Sequence, residues 1–536
     1  MRLRPLALLV VLVAAASIAG GARAGSVCDT SCFQAPAGSG ALLVFTGHGW
    51  GHGVGMSQYG AEGYAVHGST YAQILDHYYP GTTLGKAGTS TIRVLMLDKQ
   101  KTVTVTGTAP MTVVDGSGAR HTLPAGPYTV KAAAQDWPVP LTFSPTGHTY
   151  LSLKNPYRGK LLVDLVDGKL RVIDIVGLEQ YLWGVVPSEM PPTWAPEALK
   201  AQAVAARSYA LATRAVGAPF DVYNDTRSQM YLGVAHESPA TTAAVNATKG
   251  QVALYAGKVA TTFFSSTSGG ETESALDWTG TAIPYLVSVV DPYDALSPYH
   301  NWGPVPVTAT TLLKDLKLTG PIMDVTTTPN QAGRVSQMKV TTPLTALAVA
   351  GTQVRDALGL RSNWFSVGLL ALTPPQPVAP VVYGTKIVLS SVVRGLQGVT
   401  LEQRPFGGSW QTVQTVVTGS VQLPATPVMT TDYRLATATV ASGSIRIKVM
   451  PAVAITAATA AGVAGTINPA VPNVQIDVQQ ENPDLTWTSL GTTTTAADGT
   501  FTLAGTFTDG ATLRVVATPP DASYAPGTSA SQIVSG

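Results

Sequence analysis

Short runs of alternating apolar and polar residues recur through two long parts of the chain. TIRVLMLD, KTVTVTG, KLLVDLV and LRVIDIV lie between residues 90 and 175, and the residues after 376 are rich in threonine, valine, alanine and glycine. Because the side chains of a strand alternate between its two faces, this period of two predicts half-buried β-strands bounded by turns. The chain is therefore predicted to be rich in β-structure.

The chain is long enough for several domains, because 536 residues exceed the size at which a single hydrophobic core stops growing. We predict an α+β domain over residues 25–375, with a β-rich insert at about residues 90–175. Two all-β, sandwich-like domains are predicted to follow, over residues 376–450 and 451–536. The proline-rich stretch LTPPQPVAPVV is predicted to be the linker at the first of these boundaries.

The first 24 residues have the pattern of an export signal. Arg2 and Arg4 precede an apolar run from Leu6 to Ile18, and Ala22-Arg23-Ala24 fits a small-x-small cleavage site. No later stretch approaches the roughly 20 apolar residues that cross a bilayer. We therefore predict a secreted protein without a transmembrane anchor.

Charge and cysteine content restrict the function classes. The 33 lysines and arginines nearly balance 31 acidic residues, and no basic stripe of the kind that binds nucleic acid is present. The only cysteines, Cys28 and Cys32, predict a local disulfide in an oxidising compartment. A metal site that also uses His48 and His52 is the alternative, although their spacing matches no recognised ligand geometry.

A glutamate between prolines is the first candidate catalytic residue. In VVPSEMPPTW, Glu189 lies between Pro187 and the pair Pro191-Pro192, and each proline fixes its own φ and restricts its predecessor. A carboxyl on such a stiff turn, beside Met190 and Trp194, would be partly desolvated. Desolvation would raise its pKa and allow it to donate a proton near neutral pH. The alternative is a surface glutamate in a proline-rich loop.

An alanine-rich helix is predicted to begin near Pro196 and to end at Gly217. Lys200, Arg207 and Arg214 recur every seven residues on its apolar face. Such cations either extend to solvent or point into a site. Because the neighbours of Arg207 are small alanines, we predict that Arg207 rather than Arg214 faces a site.

Two later segments, DTRSQMYLG and FFSSTSGGETESALDW, are rich in hydroxyl groups and glycine. They could hydrogen-bond a polyhydroxylated ligand, although a plain loop is the ordinary interpretation of such a run. Neither G-x-S-x-G nor H-E-x-x-H occurs, so a serine hydrolase and a zinc hydrolase are poorly supported. Glu271, Glu273 and Asp225 lie close to these segments, which leaves a two-carboxylate hydrolase open.

Several long stretches together resemble a known family. VVPSEMPPTWAPEALKAQAVAARSYAL, SQMYLG, FFSSTSGGETESA, PYLVSVVDPYD and GHGWGHGVGMSQYGAEGYAVHGSTYAQILDHYYPGTTL are similar to the stage II sporulation protein D family, which includes the amidase-enhancer proteins of bacterial cell walls. They cover roughly residues 45–84 and 176–302. In the family the GWGHGVGMSQ segment usually follows STSGG, so its early position looks like a circular permutation. We expect residues 47–60 to return beside Glu189.

The resemblance implies a lytic transglycosylase that cleaves peptidoglycan glycan strands between N-acetylmuramic acid and N-acetylglucosamine, leaving 1,6-anhydro ends. It implies that Glu189 is the catalytic residue, acting first as acid and then as base, and that neither metal nor cofactor is needed. It also implies that Lys200 and Arg207 bind substrate. Further predicted substrate-binding residues are Gln229, Tyr231, Ser266, Thr267, Ser268, Trp50, His52, Ser57 and Gln58.

Two other function classes stay open. The chain resembles amidase enhancers as well, so it could be a non-catalytic regulator that binds peptidoglycan and has a cell-wall amidase as its partner. A surface adhesin, with its function in residues 376–536, is the third class. In each case the protein is expected to be extracellular and associated with the cell wall. The glycines of residues 45–68 could line a glycan cleft or simply pack this segment against the long helix.

Overall fold

The computed structural model describes residues 25–28, 31–88 and 90–536, so the export signal predicted for residues 1–24 lies outside the described residues. In this part of the chain the α-helices are α1 (Gln58–Val66), α2 (Tyr71–Tyr78), α3 (Leu178–Glu189), α4 (Pro196–Thr213), α5 (Pro239–Ala247), α6 (Ala275–Thr279), α7 (Ala309–Asp315) and α8 (Gly351–Leu358), with 3₁₀ turns at Val234–His236 and Asp294–Leu296. None of these helices is both long and apolar enough to cross a membrane.

Strands fill the region from residue 91 to residue 177, as the alternating pattern predicts. A seven-stranded sheet has the spatial order Val222–Tyr223, Thr91–Gln100, Lys169–Gly177, Lys160–Val166, Leu141–Pro145, Met111–Val114 and Arg120–Leu123. A four-stranded sheet has the order Pro156–Tyr157, Leu151–Ser152, Thr102–Gly107 and Gly126–Lys131. Both sheets contribute to one apolar core, which α3 also enters through Leu182 and Val185.

Helix α4 is the central element of the helical part. It begins at Pro196, as predicted, and ends at Thr213, four residues before Gly217. It contacts α1, α2, α3 and α5, and its buried positions are mostly alanine, which allows neighbouring helices to approach closely. Thr70 caps the short helix α2 through a capping box with Gln73.

A five-stranded antiparallel sheet joins the beginning of the chain to its later parts. Its order is Asn301–Thr308, Leu42–His48, Phe365–Thr373, Ile387–Arg394 and Gly419–Ala425. Leu42, Leu370 and Leu389 share one core. The sheet therefore crosses the boundary predicted at residue 375, and LTPPQPVAPVV is a connection between two paired strands rather than a linker between independent domains.

The remaining strands form smaller sheets and the tail. Two three-stranded sheets contain Lys258–Val259, Gln251–Tyr255 and Thr83–Lys86, and Asp324–Pro329, Val335–Thr341 and Ala346–Ala350. Two two-stranded sheets pair Phe264–Ser265 with Met56–Ser57 and Val381–Val382 with Val449–Met450. A six-stranded sheet contains Phe33–Gln34, Val440–Ala441, Thr431–Ala436, Thr400–Pro405, Gln411–Thr415 and Ile445–Ile447. Cys28 and Cys32 form a disulfide, with Cα atoms 5.5 Å apart, that packs on Ala436 and Ala441. This pairing leaves no thiolate for a metal site.

The last part of the tail has a core of its own. One sheet contains Ala452–Thr459, Gly462–Asn468 and Thr500–Ala504, and the other contains Trp487–Thr494, Gln475–Glu481, Thr512–Thr518, Gly527–Thr528 and Gln532–Ile533. Side chains of both sheets, such as Val463, Ile476 and Val515, are buried together. This two-sheet arrangement is the one that alternating strands with apolar inner faces favour.

Candidate functional site

A cavity of about 570 Å³ lies at the carboxyl end of α3. Segments from four distant parts of the sequence form its wall. The lining residues are Trp50, Gly51, His52, Gln58, Glu189, Tyr209, Thr226, Arg227, Ser228, Phe263, Phe264, Ser265, Ser266, Trp278 and Arg355. Aromatic rings and hydroxyl groups predominate, and Glu189 is the one carboxylic acid among these lining residues.

Glu189 is the last residue of α3, whereas the sequence predicted a proline-rich turn at this position. Pro187 lies inside the last turn of the helix, and Met190 is extended, with φ −127° and ψ 141°. Because a residue that precedes proline is disfavoured in the helical conformation, Pro191 ends the helix directly after Glu189. The same prolines that suggested a stiff turn thus hold Glu189 at a helix end.

The environment of Glu189 favours its neutral form. Burial raises the pKa of this carboxyl, whereas the Met230 backbone and the Gln58 side-chain amide oppose the rise. The Met230 N–H donates a hydrogen bond of 2.7 Å to Glu189 Oε1. A carboxyl that is desolvated and held by a single backbone donor can give up a proton to a substrate oxygen and later take one back.

The glycine-rich segment lies beside Glu189, as the sequence analysis expects. Trp50 exchanges two backbone hydrogen bonds with Thr267, of 2.9 and 3.1 Å, and Met56–Ser57 pairs in parallel with Phe264–Ser265. A Cβ atom on Gly51, which has φ +114°, would lie 2.7 Å from the Ser265 Cβ atom. Glycine is therefore required where the two segments approach each other and form one wall of the cavity.

His52 is held neutral in this wall. Burial and the nearby charges of Arg355 and Arg334 lower its pKa to about 4. Its Nδ1 atom accepts a hydrogen bond of 3.0 Å from the Val54 N–H, and its ring stacks on Trp278 with a centroid distance of 4.8 Å. His52 is thus an aromatic surface with a fixed tautomer and not a proton carrier at neutral pH.

Trp50 is the most open aromatic side chain of the cavity wall, with 40% of its surface exposed. Tyr299 packs edge-on against it at 4.5 Å. The Arg361 guanidinium lies 4.9 Å from the Trp50 ring and 4.3 Å from the Tyr299 ring. These contacts fix the indole, and its exposed face suits a sugar ring.

Lys200 and Arg207, predicted to bind substrate, do not line the cavity. Arg207 is fully buried and makes a bidentate ion pair with Glu179, at 3.0 Å through Nε and 2.7 Å through Nη2. Lys200 pairs with Glu197 at 2.7 Å. The prediction that Arg207 faces the site is corrected, because the face of α4 that carries it packs against α3 and α5.

Gln229 and Tyr231 also point away from the cavity. The Gln229 amide oxygen accepts from the Tyr181 hydroxyl at 3.1 Å, and its Nε2 atom donates to the Ala206 carbonyl at 3.2 Å. The Tyr231 hydroxyl donates to Asp174 at 3.0 Å. Both side chains are buried in the core, and only the backbone between them, at Met230, reaches Glu189.

Ser57, Thr267 and Ser268 belong to a buried network behind the cavity wall, whereas Ser266 lines the cavity. Asp294 accepts hydrogen bonds of 2.8 Å from the Ser57 hydroxyl and from the Ser268 N–H. Thr267 and Ser297 share a hydrogen bond of 2.8 Å. Ser57, Thr267 and Ser268 therefore support the wall from behind and do not line the cavity.

The carboxylates that left a two-acid hydrolase open are engaged elsewhere. Asp225 makes a bidentate pair with Arg227, and Glu273 accepts from Asn330 at 2.9 Å and lies 3.6 Å from Arg334. Glu271 accepts from Ser288. In the part of the chain that the structure describes, no group of three or more His, Cys, Asp or Glu residues has a metal-binding arrangement.

Sequence reasoning missed about two thirds of the residues that line the cavity. Phe263 and Trp278 lie within a stretch that was singled out for its hydroxyl groups, and Tyr209 lies on the predicted helix, so their aromatic character was an available signal. Arg355 on α8 had none, because it lies about 170 residues after Glu189 and outside every motif singled out above.

Comparisons with known proteins find a matching family model and several relatives. The family model described as "Stage II sporulation protein" matches residues 166–255. An uncharacterized protein of Brachyspira hyodysenteriae is 43% identical over 136 residues, which are 25% of this chain and 37% of that protein. The Bacillus subtilis "Amidase enhancer" is 40% identical over 121 residues, 23% of this chain and 16% of that protein. The Bacillus subtilis "Stage II sporulation protein D" is 38% identical over 146 residues, 24% of this chain and 43% of that protein.

The matched residues contain α3 with Glu189, the whole of α4, and the Met230 donor. This part of the chain is similar to the stage II sporulation protein D family. It spans less than half the length of each of these relatives.

Proposed function

We propose that the protein is a secreted, cell-wall-associated lytic transglycosylase that cleaves the glycan strands of peptidoglycan. The similarity to stage II sporulation protein D and to an amidase enhancer supports a cell-wall-related role. The observation that carries the finer proposal is the cavity itself: one desolvated carboxyl, Glu189, surrounded by aromatic and hydroxyl side chains. A cavity with a single acid fits a reaction in which one group acts twice.

In the proposed reaction, the neutral Glu189 carboxyl donates its proton to the oxygen that joins N-acetylmuramic acid to N-acetylglucosamine. The bond between that oxygen and the muramoyl C1 atom breaks, and the N-acetylglucosamine chain leaves with a hydroxyl group. The muramoyl 6-hydroxyl then attacks C1, and the Glu189 carboxylate accepts its proton. A 1,6-anhydro ring forms, no water is consumed, and Glu189 returns to its neutral form.

The cavity wall supports each requirement of this reaction. The Met230 N–H holds the carboxyl in place in both of its protonation states. Aromatic surfaces at Trp50 and at the His52–Trp278 stack suit the apolar faces of two sugar rings. A two-acid hydrolase would need a second carboxyl about 5 to 9.5 Å from the first, and none lines the cavity.

Product analysis tests the proposal. The full chain is incubated with purified glycan strands, and the soluble products are identified by mass spectrometry. We expect fragments with 1,6-anhydro ends from the wild type and at least a 100-fold loss of release in Glu189→Gln. Fragments with reducing ends would show a hydrolase and contradict the proposal.

Glu62→Gln is the matched control. Glu62 is also a partly buried carboxyl with a raised pKa, and it accepts one backbone hydrogen bond of 2.8 Å, from Ala195, but it does not line the cavity. Product release by this variant should equal that of the wild type.

The second candidate is a non-catalytic enhancer of a cell-wall amidase, because a relative with that name shares 40% identity over 121 residues. It predicts that neither the wild type nor Glu189→Gln releases glycan fragments. It also predicts that both variants bind cell walls and accelerate an added amidase equally. The two functions are separated by the same incubation, with and without the amidase.

A further inference from the structure

Arg355 is a cation in the wall of the Glu189 cavity that comes from outside the matched region. It lies on α8, whereas the family model ends at residue 255. The helix lies in the sequence between the strands Ala346–Ala350 and Phe365–Thr373, which belong to two different sheets. Arg355 therefore contributes to the cavity wall from a helix other than α3 and α4.

Among the described residues, no hydrogen-bond acceptor is found for the buried Nε atom of Arg355. The ion pair of Arg355 with Asp356 has an Nη1–Oδ1 distance of 3.7 Å, and the Asp356 side chain is 73% exposed. A guanidinium has five N–H groups in a planar arrangement that matches a carboxylate. The Arg355 guanidinium therefore has N–H donors that no acceptor among the described residues binds in a bidentate arrangement.

The other arginine of the wall shows the contrast. Arg227 is neutralised by Asp225, which accepts from Nε at 2.9 Å and from Nη2 at 2.7 Å. His52 is uncharged at neutral pH, and Glu189 Oε1 accepts from the Met230 N–H rather than from Arg355. Among the described residues, no carboxylate forms a bidentate pair with Arg355 at the α8 side of the cavity.

We propose that Arg355 forms a subsite for a carboxylate that the glycan carries. The inference rests on the proposed glycan-cleaving function and names a specificity-determining residue for it. Two sources have this chemistry: the lactyl carboxyl of an N-acetylmuramic acid without a peptide, and a carboxyl of an attached peptide stem. Arg355 binds either one through charge-assisted, bidentate hydrogen bonds.

Binding of three glycan probes tests the subsite. The probes are bare glycan strands, the same strands with their carboxyls reduced to alcohols, and strands that keep their peptide stems. Affinities are measured by calorimetry with the full chain carrying Glu189→Gln, so that no probe is consumed. We expect carboxyl reduction to weaken binding by about 10- to 100-fold, the range of one charge-assisted contact.

Substitutions at Arg355 show whether this residue causes the difference in affinity between bare and reduced strands. In Arg355→Gln, bare and reduced strands should bind equally, both at the level of the reduced strand. Arg355→Lys keeps the charge but not the planar donor pair, so part of the difference should remain. Arg214→Gln is the control, because Arg214 is exposed and does not line the cavity while the change in net charge is the same. Its affinities should not change.

The outcomes are distinct. If bare strands bind more tightly than stem-bearing strands, the lactyl carboxylate is the ligand of Arg355. If stem-bearing strands bind more tightly, a stem carboxylate is the ligand. Equal binding of bare, reduced and stem-bearing strands by the parent protein overturns the subsite but leaves the glycan function intact. Binding of none of the three probes overturns the proposed function itself.

Discussion

Removal of the buried arginine of α4 distinguishes a structural role from a catalytic one. The Arg207 side chain is fully buried and donates five hydrogen bonds. Two reach Glu179, and the others reach the carbonyls of Gln251, at 3.0 Å, and of Ala203 and Val245, at 3.3 Å each. Arg207→Met removes all five while keeping most of the apolar stem.

The expected loss of unfolding free energy follows from these contacts. Loss of one member of a buried ion pair costs about 3 to 5 kcal/mol. The Glu179 side chain is 21% exposed and keeps the Gly250 N–H as a donor at 3.1 Å, so the lower end, about 3 kcal/mol, applies. Arg207→Met combined with Glu179→Leu should recover most of this loss, because no buried charge is then left unpaired.

Hydrogen exchange followed by mass spectrometry is the suitable assay, since it reports residues 178–255 separately from the tail. Amides of α3, α4 and α5 should exchange about 100-fold faster in Arg207→Met. Glycan binding, measured at a temperature where the variant is folded, should equal that of the wild type. Unchanged protection together with lost binding would refute the structural role and place Arg207 in the site.

Three further predictions concern the cavity. Because burial raises the pKa of Glu189, glycan cleavage should fall as pH rises through that pKa. The stability of Glu189→Gln relative to the wild type should increase from pH 4 to pH 8, since only the wild type must ionise a desolvated carboxyl. A stability difference that is the same at both pH values would contradict this. Gly49→Ala should lower the free energy of unfolding, measured in urea, by roughly 2 to 4 kcal/mol, because Gly49 has φ +75° and its added Cβ would lie 2.8 Å from the Thr267 carbonyl oxygen. Gly68 has φ +91° but open space around it, so Gly68→Ala should lower the free energy of unfolding by only about 1 kcal/mol. Trp50→Ala should weaken glycan binding about 10-fold in calorimetry without changing stability; an unchanged affinity would exclude the indole as a sugar platform.

Local sequence patterns predicted the elements better than their partners. The preference for proline at a first helical turn depends on atoms within one turn, and α4 begins at Pro196 as the sequence predicts. The seven-residue spacing of Lys200 and Arg207 correctly indicated a common helix face. It could not indicate what covers that face, because Glu179 comes from another helix.

The sequence predicted only part of the site, because local patterns do not show which distant segments pack together. Glu189 was found because the prolines that constrain it are its neighbours in the sequence, and its desolvation follows from the apolar residues around it. The side chains that complete the cavity come from distant segments. Nothing local to Arg355 or Trp278 distinguishes a cavity-lining side chain from one on the surface.

The amino-acid sequence by itself determined where strands and helices form, which residue is the candidate acid, and which family the chain resembles, since each rests on short-range pattern or on residue identity. Tertiary structure alone decided that Arg207 is buried, that Arg355 faces the cavity, and that one sheet crosses residue 375. The physical reason is that strand pairing and side-chain burial join residues hundreds of positions apart, and the energy of such contacts depends on geometry that no local pattern encodes.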